Sequence, residues 1–248
     1  MQKDTFDLWS PQLRNRRNVD VYLPDSYDGS GRRRYPVVYM QDGQNLSDPA
    51  IAFAGNTWHL EEGLTWLAKH GVEPIVVGVH NTGVDRMNEY SPFKDAHNGG
   101  GKGSRYVRFL IDTVKTRIDG NYRTDTDRAR TVIAGSSMGG LIGLYAFFRR
   151  PSPFGGVAIM SPSVWFANRR ILPFVDRSRR KGGRVYLDVG TSEGAGELRD
   201  TRTLNRLLRS KSYEEGALRY VEAQGHQHRE ADWAWRLPQA LEFLLREG

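Results

Sequence analysis

The stretch RTVIAGSSMGGLIGLYAFF, residues 130–148, decides how this chain folds. Residues 130–135 form a short run centred on Val132 and Ile133, the pattern of a strand buried on both faces. Residues 139–148 are apolar on every side, which suits a helix sunk in a core. Only a turn of glycine and serine separates the two. Strand, sharp turn and helix in direct succession make the unit from which parallel α/β sheets are built. Within the turn, Gly135 and Gly139 bracket Ser137 in the spacing G-x-S-x-G, while Ser136 lacks that frame. The spacing has a steric cause. A residue on such a turn is held in a strained backbone conformation, and small neighbours two before and two after let the chain segments pass. The start of the helix adds N–H groups and a positive dipole end, suited to a developing oxyanion. Ser137 is the candidate nucleophile.

Outward from this turn the chain alternates. Strand-like runs recur at 18–24, 35–41, 74–80, 155–161, 184–190 and 218–223, with helical stripes between them. In 105–118, Val107, Leu110, Ile111, Val114 and Ile118 share one face, and 57–69 and 197–209 are similar. A last helix is expected over 230–246, with Pro238 as a break or restart near its middle. This alternation predicts an α/β fold: a mostly parallel central sheet with helices on both faces. The first strands precede any helix and add an antiparallel N-terminal edge. With no repeat, long linker or composition break, residues 1–248 read as a single domain.

Composition narrows the function. The chain is 38% hydrophobic and 26% charged, as for a soluble globular protein. It has no cysteine, which removes disulfides, thiolate metal sites and a cysteine nucleophile. The start, MQKDTFDLWSPQLRN, has no apolar h-region, and runs such as PIVVGV (74–79) are too short to span a bilayer. A cytoplasmic protein without membrane partners is expected. The net charge of +7 comes partly from clusters at 32–34, at 169–170 and at Arg177 with 179–181. These lie in different loops broken by Asp and Gly, so they read as solvated charge and not as a nucleic-acid surface. HNGGGKGS (97–104) imitates a phosphate loop, but Gly103 separates Lys102 from Ser104, and a surface loop bordering a site is the better reading.

A serine needs a base, and the base needs an orienting acid. Downstream of Ser137 the histidines are His226 and His228, both after the last expected strand. The acid is expected in the loop after RVYLDVG (184–190), where Glu193 has the best reach; Asp188 within the strand and Asp200 on the next helix are the alternatives. His226 and His228 as a metal pair lack further ligands nearby.

Together these pieces resemble the esterase D-like (Putative esterase) family of the α/β-hydrolase superfamily, which includes enterochelin esterases, feruloyl esterases and S-formylglutathione hydrolases. The matching stretches are 35–48, 74–92, 132–151, 161–165, 187–194 and 228–244, in that order along nearly the whole chain. The resemblance implies the α/β-hydrolase fold, Ser137 as nucleophile and His228 as base, since Glu230, Trp233 and Arg236 follow His228 at the family's offsets. It places the acid at Glu193, where many relatives carry Asp. The oxyanion donors are then the N–H of Met138 and that of Gly43 or Gln44, in the loop after an early strand. Trp165, Arg86 and Trp58 are candidates for lining the acyl or alcohol pocket.

The implied activity is a serine carboxylic-ester hydrolase working through an acyl-enzyme on a small-molecule ester, with no metal or organic cofactor. Acyl transfer or thioester cleavage on the same triad is one alternative. A non-catalytic binding protein on an esterase scaffold is the other. The oligomeric state stays open, a homodimer included.

Overall fold

The computed structural model describes residues 1–27, 31–149 and 152–246; Arg150 and Pro151, which end the 132–151 stretch, lie outside the described residues. The strands are β1 (Gln2–Ser10), β2 (Asn15–Leu23), β3 (Val37–Gln41), β4 (Ile75–Val79), β5 (Lys94–Asp95), β6 (Gly99–Gly100), β7 (Thr131–Ser136), β8 (Gly156–Met160), β9 (Arg184–Gly190) and β10 (Leu218–Ala223). Eight of them form one sheet in the order β1-β2-β4-β3-β7-β8-β9-β10. From β4 to β10 every neighbouring pair is parallel, and β2 runs against both β1 and β4. This is the α/β fold expected, with its antiparallel N-terminal edge.

The central strands are buried on both faces, and their side chains divide between two cores by the period of two. Val38, Met40, Val132, Ala134, Ala158 and Met160 meet the helices Leu60–Lys69 and Glu230–Leu245. Val37, Tyr39, Ile133, Val157 and Ile159 meet the helices Met138–Phe148, Ile171–Arg177 and Ala195–Ser210 on the other face. In Met138–Phe148 every residue but Tyr145 is buried, which explains the lack of any polar face. Truncating Leu141 or Leu144 there to alanine costs about 2–5 kcal/mol.

Two details depart from the sequence reading. Pro238 neither breaks nor restarts the last helix, which runs continuously from Glu230 to Leu245. The ring is buried, and Gly63 opposite leaves it room: a Cβ on Gly63 would sit 3.4 Å from Pro238 Cγ. Packing thus offsets the lost N–H and the ring's clash with the preceding turn. The other departure is β1, which is largely polar. It is an edge strand that turns Phe6 and Leu8 toward the core and leaves alternate residues in water.

The parallel strands all end at one edge. Register places Ser136 beside Met160, and Met160 beside Asp188. The turns after β3, β4, β7 and β10 open onto a common crevice, where open α/β sheets bind ligands.

Candidate active site

Ser137 stands at the turn between β7 and the helix Met138–Phe148 with φ 55° and ψ −123°. That conformation is rarely adopted by a residue with a Cβ. It persists because the surroundings over-determine it. Ser137 N–H donates to Met160 O at 2.9 Å, and Ser137 O accepts from Ser163 N–H at 3.1 Å. The framing glycines are needed for space: a Cβ on Gly135 would lie 2.8 Å from the Gly139 carbonyl carbon, and one on Gly139 would lie 3.0 Å from Gln41 Cβ. The Ser137 hydroxyl is 3.1 Å from that of Ser163.

Glu193 and His228 come together as a pair. His228 Nδ1 lies 2.8 Å from Glu193 Oε2, while Glu193 Oε1 accepts from Gly190 N–H at 2.7 Å and from the Ser161 hydroxyl at 2.6 Å. Burial alone would raise the Glu193 carboxyl, but the bonds from His228, Ser161 and Gly190 outweigh it and hold the group below its ordinary value. The imidazole packs edge-on against Trp233, with ring centroids 4.8 Å apart. The other two candidate acids are engaged elsewhere. Asp188 is fully buried and binds Arg236 at 2.9 Å; burial pushes its carboxyl up, and the guanidinium pulls the other way. Asp200 pairs with Arg169 at 2.8 Å. His226 lies 3.8 Å from Asp232.

Ser136, Ser137, His228, Trp233 and Glu230 line a cavity of about 580 Å³ together with Asp42, Gln44, Asn81 and Arg86. Among the described residues Ser137 and His228 share this cavity without a direct hydrogen bond, as is common before a substrate binds. Across from them the loop after β3 turns sharply at Asp42, whose φ is 56°. A Cβ on Gly43 would lie 2.4 Å from the Gly78 carbonyl carbon, so this loop can press against β4 only with glycine there. Gly43 and Gln44 open a short helical turn, and Met138 opens a long helix; their N–H groups precede the helical ladder and are available to a ligand. Arg86 grips Asp42 with two 2.8 Å bonds, and Asn81 adds a third at 2.7 Å. Burial would lower the Arg86 guanidinium, but the Asp42 carboxylate overrides it and raises the group. Glu230 is raised, by burial first and then by the nearby Asp42.

Two of the candidate pocket residues stand apart from this wall. Trp58 is buried in the core, stacked on Trp233 at 5.7 Å, and Trp165 is 40% exposed outside the cavity. Conversely, Ser161, Ser163, Asp42 and Asn81 belong to the site and were missed as site residues. Ser161 and Ser163 lie in SPSVW, just past β8, where two serines beside a strand end were the available signal. Ile51 and Phe53 form an exposed apolar rim, 50% and 72% accessible. Among the described residues no group of three or more His, Asp or Glu is gathered as metal ligands would be, and no helix is long and apolar enough to cross a membrane.

Comparison with known proteins identifies the family. Residues 10–244 match the family described as "Putative esterase". Uncharacterized protein YbbA of Bacillus subtilis is 26% identical over 243 residues, covering 92% of each chain. The iron(III) salmochelin esterase of Escherichia coli is 30% identical over 186 residues, 67% of this chain and 44% of that one. Among solved structures, an IroE-like serine hydrolase from Shewanella oneidensis superposes with a TM-score of 0.79 at 19% identity, over 99% of this chain and 80% of that one. The chain belongs to the "Putative esterase" family and is a carboxylic ester hydrolase.

Proposed function

From this membership we propose that the chain, acting as one domain, hydrolyses a small-molecule carboxylic ester through an acyl-enzyme on Ser137. His228 is the general base and Glu193 its orienting acid. His228 donates Nδ1–H to the ionised Glu193, which leaves the Nε2 lone pair to take the Ser137 proton as the hydroxyl attacks the ester carbonyl. The N–H groups of Met138 and of Gly43 or Gln44 stabilise the tetrahedral oxyanion, each such donor being worth about 3 kcal/mol in the transition state. His228 then protonates the leaving alcohol, and water repeats the sequence on the acyl-enzyme. Arg86, held by Asp42, borders the substrate.

One observation carries the reading: a strained serine and a carboxylate-bound histidine open on the same cavity. The relative named as an iron(III) salmochelin esterase supports a small-molecule substrate. A fluorophosphonate probe tests the proposal. Wild-type protein takes up one label at Ser137, and Ser137→Ala takes up none. Labelling of the alanine variant, or none of the wild type, refutes it.

A further inference from the structure

Beneath Glu193 lies a polar network that the triad chemistry does not use. The Ser161 hydroxyl, 3% exposed as a residue, touches three groups at once. It accepts from Trp233 Nε1–H at 2.9 Å and from Arg236 Nη2–H at 3.0 Å, and it donates to Glu193 Oε1 at 2.6 Å. Indole and guanidinium nitrogens can only donate, and a hydroxyl has one proton and two lone pairs. With both lone pairs taken, the Ser161 proton has one direction left, toward Glu193. A proton on Glu193 Oε1 would oppose that hydroxyl and the Gly190 N–H together. The network therefore accepts Glu193 only as an ionised acceptor on this oxygen, with Oε2 turned to His228.

The charges follow the same plan. Arg236 is 4% exposed and stands between two buried carboxylates: Asp188 at 2.9 Å and Glu193 at 3.7 Å. Asp188 in turn accepts Ser161 N–H at 3.0 Å, which fixes the serine backbone at its φ of 40°. One cation thus serves two anions of unequal role, one structural and one facing the base.

We propose that Ser161, Trp233 and Arg236, with Asp188 as the counter-charge of Arg236, are positioning residues that keep Glu193 ionised and aimed at His228. The proposal rests on the Ser137–His228–Glu193 reading. It predicts that the buried charges bias the base according to sign. Removing the positive charge favours a protonated imidazole, so turnover needs a higher pH; removing Asp188 leaves Arg236 facing Glu193 alone and does the reverse. Among the described residues, the other charged or titratable groups around the network are His226, Arg229, Glu230 and Asp232 from the segment around His228, Asp42 and Arg86 across the cavity, and Tyr186 beside Asp188 and Arg236.

The test is the pH profile of kcat/KM for p-nitrophenyl butyrate, an ester that does not itself titrate in the acid limb. Arg236→Met is expected to move the acid limb up by about half a pH unit or more, and Asp188→Asn to move it down by a comparable amount. Arg236→Lys, which keeps the charge, stays near wild type, and Asp188→Asn with Arg236→Met together returns close to it. Shifts of the same sign in the two single variants, or unmoved limbs in both, overturn the proposal. If Arg236→Met fails to fold by circular dichroism, Asp188→Asn decides alone: a downward shift supports the idea, and none or an upward one sinks it. Fluorophosphonate labelling of wild type and of Ser137→Ala keeps a failure of the triad reading separate from a failure of this one.

Discussion

Replacing Ser137 by glycine should make the protein more stable than replacing it by alanine, though both variants lose the proposed nucleophile. At φ 55° and ψ −123° a residue with a Cβ sits where essentially only glycine is comfortable. Holding it there costs about 1–3 kcal/mol. Ser137→Ala keeps the Cβ and hence the strain, and gives up only the 3.1 Å bond to Ser163. Ser137→Gly releases the strain but loosens the unfolded chain, at a cost of about 0.4–1 kcal/mol. The difference favours glycine by about 1 kcal/mol. For a chain of this size that is about 2–4 °C in melting temperature. Paired urea and thermal denaturation of the two variants at one pH reads it directly. A glycine variant no more stable than the alanine one would falsify the claim that the elbow stores strain.

The same geometry makes three further predictions. Gly43→Ala places a methyl 2.4 Å from the Gly78 backbone, so the loop must withdraw; kcat/KM should fall at least about a hundredfold, the loss expected for one oxyanion donor, and an alanine variant within threefold of wild type would contradict that role. Glu193→Gln should cut kcat/KM by about 10²–10⁴ through the wrong histidine tautomer. It should also change the pH dependence of stability. Because the folded-state value of Glu193 is lowered, its contribution is present above the unfolded value of about 4.3 and fades as pH falls through the folded one. The stability gap between wild type and Glu193→Gln should therefore narrow below about pH 4.3, and a gap that widens there refutes the assignment. Finally, the cavity wall carries two carboxylates, Asp42 and Glu230, against one guanidinium already bound to Asp42. A neutral butyrate ester should outpace its hemisuccinate analogue by several-fold in kcat/KM, and Glu230→Gln should narrow the difference; equal turnover of both esters by the wild type would count against a negative cavity.

What could be read from the sequence was whatever a local rule controls. The turn at Ser137 was legible because strand, glycine frame and helix are contiguous, and the sheet was legible because its inner strands are unbroken Val- and Ile-rich runs. Glu193 followed from loop order. The edge strand β1 was invisible because half of its side chains face water and its composition is that of a polar loop. Asp42 and Arg86 are 44 positions apart, and Ser161 and Arg236 are 75 apart. No periodicity relates such residues; only the meeting of the segments after β3, β4 and β8 with the last helix at one sheet edge does. Trp58 illustrates the converse. A tryptophan just before the start of a helix is equally ready to line a pocket or fill a core, and the stacking on Trp233 that decides it is a tertiary fact.

The placement of the network also bears on why the site is divided as it is. The Ser137 half hangs on β7 and β8: its N–H goes to Met160 O, its carbonyl takes Ser163 N–H, and its hydroxyl meets Ser163. The other half hangs on β9 and the segment before the last helix, where Glu193 takes Gly190 N–H and His228. Ser161 stands at the join, since its N–H and hydroxyl reach Asp188 and Glu193 from the end of β8. The halves are thus anchored at the ends of adjacent parallel strands whose register is set by buried ladders, with Glu193 and His228 on the segments that follow β9 and β10. The fine positioning that acyl transfer on the proposed triad demands then starts from the ends of these paired strands.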